Sequence, residues 1–488
     1  MIRRNTWLHR HRGEVYTTLV GMMLLGLACS KIVLSISLLT YTVFFLVFGD
    51  YAEFVTRFKE NRFWLGLLLF FLFLHMVSCF WSTDLHAAWN GIRVRLSAVA
   101  IPLFIATSMP FKMPALTKLL KGFLVVLVVL MLANIVRFLY LIDHQMMSDI
   151  RQLSWFGSHI RFGILVSSAV GICWYLYKTK HVHFALAMAF ITLASAYTLY
   201  SQTFSALLSW GIVALWMVYD IVRKKKWAFV LFIGMGLIGG IVSTVLIADF
   251  QRAEPSCGSF PEPVKASAAW KKKSSLDFQG KDRKNQALKR TCERYLCAKG
   301  AALAPAQIAQ LTSQEVRDIE NGFTDSHSAR GSILGRYYEL KYQFHHVEDP
   351  NGHTLLQRFV YWKSSIEIIK QHVLIGVGIG DVESSLKERY KTTELLPENQ
   401  KRPHNMFLTT WLICGVFGVL ALLGLLIYFL VVGIKKKSGL MVVFAIITFV
   451  TMMLEDSLET QAGASFFGLF IGLFCCHQAT VLWSYKNH

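Results

Sequence analysis

A histidine in the segment Arg402-Pro403-His404-Asn405 is the leading candidate for chemistry in this chain of 488 residues. Pro403 disfavours a helical conformation at Arg402, and Asn405 is a preferred N-cap, so a helix is predicted to begin here. A histidine in this place can act as a general base near neutral pH, and the positive end of a helix attracts phosphate. The segment therefore predicts base catalysis beside an anionic group; an interfacial histidine without a task is the alternative.

Arg161 is the second candidate, in the segment 158–165 that opens another apolar run. An arginine carried into a membrane-embedded run is energetically costly, and the cost falls toward the helix end. Arg161 therefore requires an anionic partner, unless its side chain snorkels to lipid headgroups. His159, two residues earlier, is interpreted as structural.

Arg358 is the third candidate and lies on a predicted amphipathic helix. Apolar residues recur from Leu355 to Ile369 at steps of four, three, four and three, a helical period that buries one face. Arg358, Tyr361 and Ser365 then share another face. Arginine binds phosphate oxygens through a rigid fork of donors and stays charged in desolvated sites. Arg358 is therefore predicted to bind an anionic substrate, with a solvated surface role as the alternative.

Other motifs predict no metal or cofactor. The glycine-rich segment 376–381 lacks the context of a nucleotide-binding motif and is interpreted as a tight turn that packs a polar domain onto the membrane part. His345, His346 and His353 match no zinc or calcium spacing. These residues therefore support neither a metal site nor a cofactor site.

The elements that hold these residues must lie in a bilayer. The chain is 54% hydrophobic and only 16% charged, whereas soluble proteins contain about 25% charged residues. Its formal net charge of +20 would suggest a nucleic-acid partner in a soluble protein. Here the short basic clusters flank apolar runs, where they signal membrane topology. Membrane lipids, and no nucleic acid, are therefore the predicted partners of this surface.

Twelve apolar runs approach the roughly 20 residues needed to cross about 30 Å of hydrocarbon. They are predicted at about 15–30, 32–49, 64–81, 95–110, 119–141, 159–177, 183–200, 205–222, 228–248, 407–433, 439–454 and 464–484. Basic clusters such as 223–226 and 435–437 place the start of the chain and alternate loops in the cytoplasm. The starts of spans six and ten, with Arg161 and His404, then face the opposite side.

The predicted domains are nine spans in 1–248, a polar helical domain in 249–404 that faces outward, and three spans in 405–488. The polar segment is too long for a simple connection and should fold by itself. Thr312 or Ser313 could open a helix there through a capping box. The same domain holds three cysteines, and a disulfide, for which Cys292–Cys297 is one pairing, is possible in an oxidising compartment. The fold class is an all-α polytopic membrane protein.

The order of motifs in the second half resembles the O-antigen ligase and polymerase family of bacterial envelopes. The resemblance rests on Arg358 and Trp362, the 376–381 segment, Pro403-His404-Asn405-Met406-Phe407-Leu408 and Gly415-Val416-Phe417-Gly418. The segments 158–162 and 277–282 are similar to the Bacteroidetes-type branch. The histidine of the family's His-Asn-x-x-Leu motif falls on His404, and its arginine followed four residues later by leucine fits Arg161. Many members carry an arginine between spans seven and eight, where this chain reads Ser201-Gln202-Thr203-Phe204.

This resemblance implies a glycosyltransferase of the membrane-embedded C type in the bacterial inner membrane, with its active site facing the periplasm. It implies transfer of a glycan from undecaprenyl diphosphate without a metal, and a lipid A–core hydroxyl is the preferred acceptor. O-antigen polymerase and protein O-oligosaccharyltransferase are alternatives, and a polysaccharide or lipid transporter is the alternative from another class. His404 and Arg161 are the expected catalytic residues, and Arg358, Asn405 and Arg402 the expected substrate-binding residues.

Overall fold

A computed structural model describes most of the chain as helix. The described residues are 7–108, 113–144, 150–223, 244, 248–249, 251, 258–283, 286–324, 337, 341, 344, 350–351 and 354–475. They form two compact units, within 1–224, 364–386 and 402–488 (the membrane unit) and within 225–363 and 387–401 (the polar unit). The predicted limits 1–248, 249–404 and 405–488 stay a prediction, and in the structure residues 364–386 cluster with the apolar helices.

The described helices are numbered here in chain order. They are α1 (Trp7–Arg10), α2 (Arg12–Cys29), α3 (Lys31–Phe48), α4 (Tyr51–Glu60), α5 (Arg62–Val77), α6 (Leu85–Thr107), α7 (Met113–Asp143), α8 (His159–Lys178), α9 (Phe184–Ser201), α10 (Phe204–Val222), α11 (Pro263–Lys271), α12 (Leu288–Ala298), α13 (Pro305–Gln310), α14 (Ser313–Glu320), α15 (Thr354–Gln371), α16 (Val382–Tyr390), α17 (Met406–Lys435), α18 (Gly439–Leu454) and α19 (Gln461–Cys475). Short 3₁₀ turns occur at Ser78–Trp81, Ile150–Leu153, Pro397–Asn399 and Ser457–Glu459.

Eight of the described helical segments are long and apolar enough to cross a membrane by length and composition. They are Lys31–Phe48, Arg62–Trp81, Leu85–Thr107, Pro114–Asp143, His159–Lys178, Phe184–Ser201, Phe204–Val222 and Met406–Lys435. Shorter apolar helices cover Gly439–Leu454 and Gln461–Phe474. Nearly all of the predicted ninth span lies outside the described residues. The helices fit a polytopic membrane protein, while the count of twelve and the C-type architecture stay predictions.

Helix α8 lies at the centre of the membrane unit. All fifteen side chains from Phe162 to Leu176 are buried, against α9, α10 and α18. A helix that is buried on all sides is fixed in position by the close packing of the side chains around it. The start of α8, which carries Arg161, is therefore held firmly in place.

Helix α17 is interrupted inside its apolar run, at Gly415. This residue has φ 67° and ψ −162°, a left-handed conformation that residues with a Cβ rarely adopt. The segment 372–377 fills the break: the Val377 N–H donates to the Leu412 carbonyl (2.7 Å), and the Val416 N–H donates to the Val373 carbonyl (3.0 Å). A Cβ on Gly415 would collide with the carbonyl oxygen of Leu374. Only glycine fits this crossing.

Gly415→Ala is accordingly expected to destabilise the membrane unit. The backbone conformation at Gly415 is one that essentially only glycine adopts and costs an alanine roughly 1–3 kcal/mol, and the collision with Leu374 adds to it. Gly66→Ala is the matched control, since Gly66 lies in the span Arg62–Trp81 with no atom within 4 Å of an added Cβ. Thermal unfolding in detergent should show a lowered Tm for Gly415→Ala and an unchanged or raised Tm for the control. Equal midpoints would mean that the break is not needed for the fold.

The glycine-rich segment 376–381 forms a tight turn, as predicted, with left-handed backbone at Gly376 and Gly378. It is tied to the connection between α5 and α6. The Asp381 carboxylate accepts hydrogen bonds from the Thr83 N–H (2.8 Å), the Thr83 hydroxyl (2.8 Å) and the Asp84 N–H (3.1 Å). Partial burial raises the pKa of Asp381, but these hydrogen bonds outweigh it and hold that pKa below its usual value. The turn is therefore an integral part of the membrane unit.

Helix α15 forms where predicted, but the predicted apolar stripe is buried only in part, at Ile369. Phe359 and Ile366, two members of the apolar stripe, are 46% and 44% exposed. The buried side chains also include Tyr361 and Ser365, which were assigned to another face. The Tyr361 hydroxyl donates to the Asn399 carbonyl, a partner remote in sequence. Helical periodicity locates the helix, whereas tertiary contacts decide which face is covered.

The polar unit has its own small core, in which Trp270, Phe278 and Tyr295 are buried. The capping box predicted near residue 312 is confirmed, with Thr312 as the N-cap and Glu315 as its partner. The pairing Cys292–Cys297 is wrong, because Cys292 is a free, buried thiol and Cys297 is disulfide-bonded. Burial raises the pKa of Cys292 to about 12.

Candidate functional site

His404 lies in a tight turn immediately before α17. Its backbone is left-handed, with φ 51°, and its side chain is 35% exposed. Asn405 is the N-cap, as predicted, and its side-chain oxygen accepts from the N–H groups of Phe407 (3.0 Å) and Leu408 (3.1 Å). These N–H groups are therefore not free, contrary to the expectation that the start of this helix offers them to phosphate.

Asp456 anchors the turn. Its carboxylate accepts hydrogen bonds from the His404 N–H (2.9 Å), the Asn405 N–H (3.0 Å) and the Thr409 hydroxyl (2.7 Å). A carboxylate with several such donors strongly stabilises one local conformation, because charged hydrogen bonds are the stronger class. The left-handed backbone at His404 is thus held by a residue 52 positions later in the chain.

Glu455 lies close to His404 and within electrostatic range of Arg161. One of its carboxylate oxygens lies 3.8 Å from Nδ1 of His404. The same side chain lies within electrostatic range of the Arg161 guanidinium, which is partly buried in the first turn of α8. His404 lies beside the Glu455 carboxylate, and Arg161 lies within electrostatic range of the same carboxylate, in the membrane unit.

Arg402 is engaged by two carboxylates. Its Nε donates to Glu383 at 3.2 Å, and its Nη1 donates to Glu459. Glu459 also accepts from Nη2 of Arg95, a side chain that is only 1% exposed. Arg402 therefore ties the residues just before the His404 turn to the Ser457–Glu459 segment. Its predicted role in substrate binding stays a prediction.

The remaining candidates take separate positions. Arg358 belongs to the part of α15 in the polar unit, within electrostatic range of Tyr361, and its substrate-binding role stays a prediction. His159 donates from Nε2 to the Ser201 carbonyl at 2.9 Å, in agreement with a structural role. The histidines near residue 345 lie outside the described residues.

Sequence reasoning missed four residues of this site: Glu455, Asp456, Glu459 and Arg95. Three of them form an acidic segment between two apolar runs, and the fourth is an arginine at the start of a predicted span. Ionisable groups in such places are costly unless they are paired. Their clustering beside apolar runs was the available signal, and it identifies partners for Arg402 and His404.

Comparison with known protein families gives one match. A family model described as O-antigen ligase matches residues 187–423. The matched range includes His404, Asn405, Arg402 and Arg358, whereas Arg161 precedes it. No curated protein matches the chain. The match over residues 187–423 supports a member of the O-antigen ligase/polymerase family, and the eight membrane-length helices among the described residues fit a multi-pass membrane protein.

Proposed function

We propose that this protein is an O-antigen ligase, which transfers a glycan from undecaprenyl diphosphate to a hydroxyl group of lipid A–core at the periplasmic face of the bacterial inner membrane. The family match supports a glycosyltransferase activity of the ligase and polymerase type. The observation that carries the proposal is the position of Glu455, 3.8 Å from the His404 ring and within electrostatic range of Arg161. A base and a cation at one place are what this transfer requires.

In the proposed reaction, the acceptor hydroxyl oxygen attacks the anomeric carbon of the first sugar. The bond between that carbon and the diphosphate oxygen breaks, and the diphosphate leaves with the electron pair. His404 accepts the proton of the attacking hydroxyl. Because attack occurs opposite the leaving group, the anomeric configuration is inverted. The partly exposed imidazole of His404 is accessible to such an acceptor.

Glu455 is proposed to orient His404. When the Nδ1–H group faces the carboxylate, Nε2 is left as the proton acceptor, and the negative charge stabilises the imidazolium that forms. The separation of 3.8 Å is longer than a hydrogen bond. Catalytic hydrogen bonds are often long in free enzymes and shorten when the substrate binds. Glu455 thus serves the base and balances the charge of Arg161 before the donor arrives.

Arg161 is proposed to bind the departing diphosphate, with Arg402 as a further cation. The pair between Arg402 and Glu383 involves an exposed carboxylate, and such exposed pairs contribute only about 0–1 kcal/mol. A diphosphate could therefore replace Glu383 at little cost. The fixed guanidinium groups would neutralise charge that a divalent cation neutralises in other glycosyltransferases, so we propose that transfer does not depend on added metal.

Reconstitution tests this function. The purified protein in proteoliposomes, with an undecaprenyl diphosphate-linked glycan, lipid A–core and a chelator, should yield glycosylated lipid A–core with inverted anomeric configuration. Omission of lipid A–core is the control and should abolish the product. A longer lipid-linked glycan would instead indicate a polymerase, glycan on a protein hydroxyl an oligosaccharyltransferase, and movement of the glycan lipid without any transfer a transporter.

A further inference from the structure

We infer that the loop 372–377 is embedded in the hydrocarbon region of the bilayer, where Val373, Leu374 and Ile375 contact lipid acyl chains. The loop would thus be a re-entrant element of the membrane unit, within the range 249–404 that was predicted to be a polar outward domain. The inference rests on the backbone pairing and exposure of this loop, and it does not depend on the proposed reaction.

The first support is the break in α17. At Gly415 the helix loses its regular hydrogen bonding, and the neighbouring backbone groups are paired by the loop, through Leu412 with Val377 and Val416 with Val373. In hydrocarbon each unpaired backbone group costs several kcal/mol, so irregular backbone occurs there only where other protein groups satisfy it. The loop supplies these hydrogen bonds, and Nε1 of Trp411 donates a further one to the Val373 carbonyl at 3.0 Å.

The second support is the depth of the break. Gly415 lies about 14 Å along the helix from Met406, at 1.5 Å per residue. The hydrocarbon core is about 30 Å thick, and α17 continues as an apolar helix to Lys435. The break is thus inside the span rather than at its end. A loop that pairs with it must reach the same depth.

The third support is the exposure of three consecutive apolar side chains. Val373, Leu374 and Ile375 are 42%, 62% and 52% exposed. On the adjacent part of α17, Phe417 and Leu420 are 50% and 58% exposed. Contiguous apolar surface of this kind is disfavoured in water and marks a contact with an apolar partner. Since it continues the exposed side of a membrane span, lipid acyl chains are the partner that fits.

Polar groups at both ends define the re-entrant shape. Lys370 precedes the loop and is exposed, and Asp381 follows it, bound to Thr83 and Asp84. Near that connection, the aromatic side chains of Phe80 and Trp89 are 90% and 67% exposed. Exposed aromatic rings are enriched at membrane interfaces. The loop therefore enters the hydrocarbon region after Lys370 and returns to the same interface before Asp381.

Spin labelling measures the depth directly. A nitroxide is attached to Leu374→Cys in full-length protein whose labelling-accessible native cysteines have been replaced, and the protein is reconstituted in vesicles of phosphatidylethanolamine and phosphatidylglycerol. Leu420→Cys, on the exposed side of the span, is the membrane control. Val264→Cys, an 81% exposed apolar residue on α11, is the aqueous control. Collision with molecular oxygen reports lipid, and collision with a water-soluble nickel chelate reports water.

The label at residue 374 should match the one at 420, with oxygen collisions several-fold more frequent than nickel collisions. The label at 264 should show the reverse. Nickel accessibility at 374 equal to that at 264 would overturn the inference, and so would protection from both reagents, which would indicate a covering protein. Ile375→Cys repeats the measurement, so that the result does not depend on the folding of one variant.

Discussion

His404→Ala is expected to lower the rate of glycan transfer by about 10²–10⁴-fold, the contribution typical of a general base. The protein should remain folded, because the turn is held through the backbone N–H groups of residues 404 and 405 on Asp456, which the substitution keeps. The measurement is the initial rate of lipid A–core glycosylation in proteoliposomes, beside the Tm of the same preparation in detergent.

His183→Ala is the matched control, since His183 is exposed at the start of α9 and its side chain makes no capping hydrogen bond. It should transfer glycan at the unsubstituted rate. A folded His404→Ala protein with near-normal transfer would remove His404 from the mechanism. A large fall in Tm would show instead that the side chain serves the fold.

Arg161→Ala is expected to lower transfer by about 10²–10³-fold, the effect typical of removing one group that stabilises developing negative charge. The Michaelis constant for the lipid diphosphate donor should rise, and that for lipid A–core should not. Arg161→Lys should recover part of the rate, because lysine keeps the charge but lacks the two-pronged geometry for diphosphate oxygens. Arg93→Ala, an exposed arginine on α6, is the control and should leave both constants unchanged.

A double variant separates donor binding from simple charge balance. Arg161→Ala leaves the Glu455 carboxylate without the cation that lies in electrostatic range of it. Because Glu455→Gln also removes the proposed partner of His404, the single Glu455→Gln variant is the reference for the double variant. If Arg161 binds the donor, the double variant should transfer more slowly than Glu455→Gln alone and should have a higher Michaelis constant for the donor. Equal transfer in these two variants would mean that Arg161 only neutralises Glu455.

Local sequence predicted two helix starts correctly. The N-cap at Asn405 and the capping box at Thr312 were found because each depends on a side chain within three residues of the backbone it binds. Eight helices of membrane-spanning length, α17 among them, overlap predicted apolar runs, because length and hydropathy are properties of one segment. The family resemblance was likewise carried by short motifs around His404.

Faces and pairings were predicted poorly. The apolar stripe of α15 was assigned to the core, yet Phe359 and Ile366 are exposed. Helical spacing shows that a helix has two faces, but what lies against each face depends on segments elsewhere in the chain. The pairing Cys292–Cys297 failed for a related reason, because proximity in sequence does not bring two cysteines into bonding geometry.

By itself the sequence determined that the chain is helical, that much of it is apolar enough for a bilayer, and that a helix begins just after His404. Only the tertiary structure decided that Glu455 and Asp456 lie against the His404 turn and that Arg161 is within electrostatic range of Glu455. Hydropathy and helix capping depend only on the residues of one segment. The meeting of these charges depends on how α8, α17 and α18 pack, since a buried charge is stable only where packing supplies its partner.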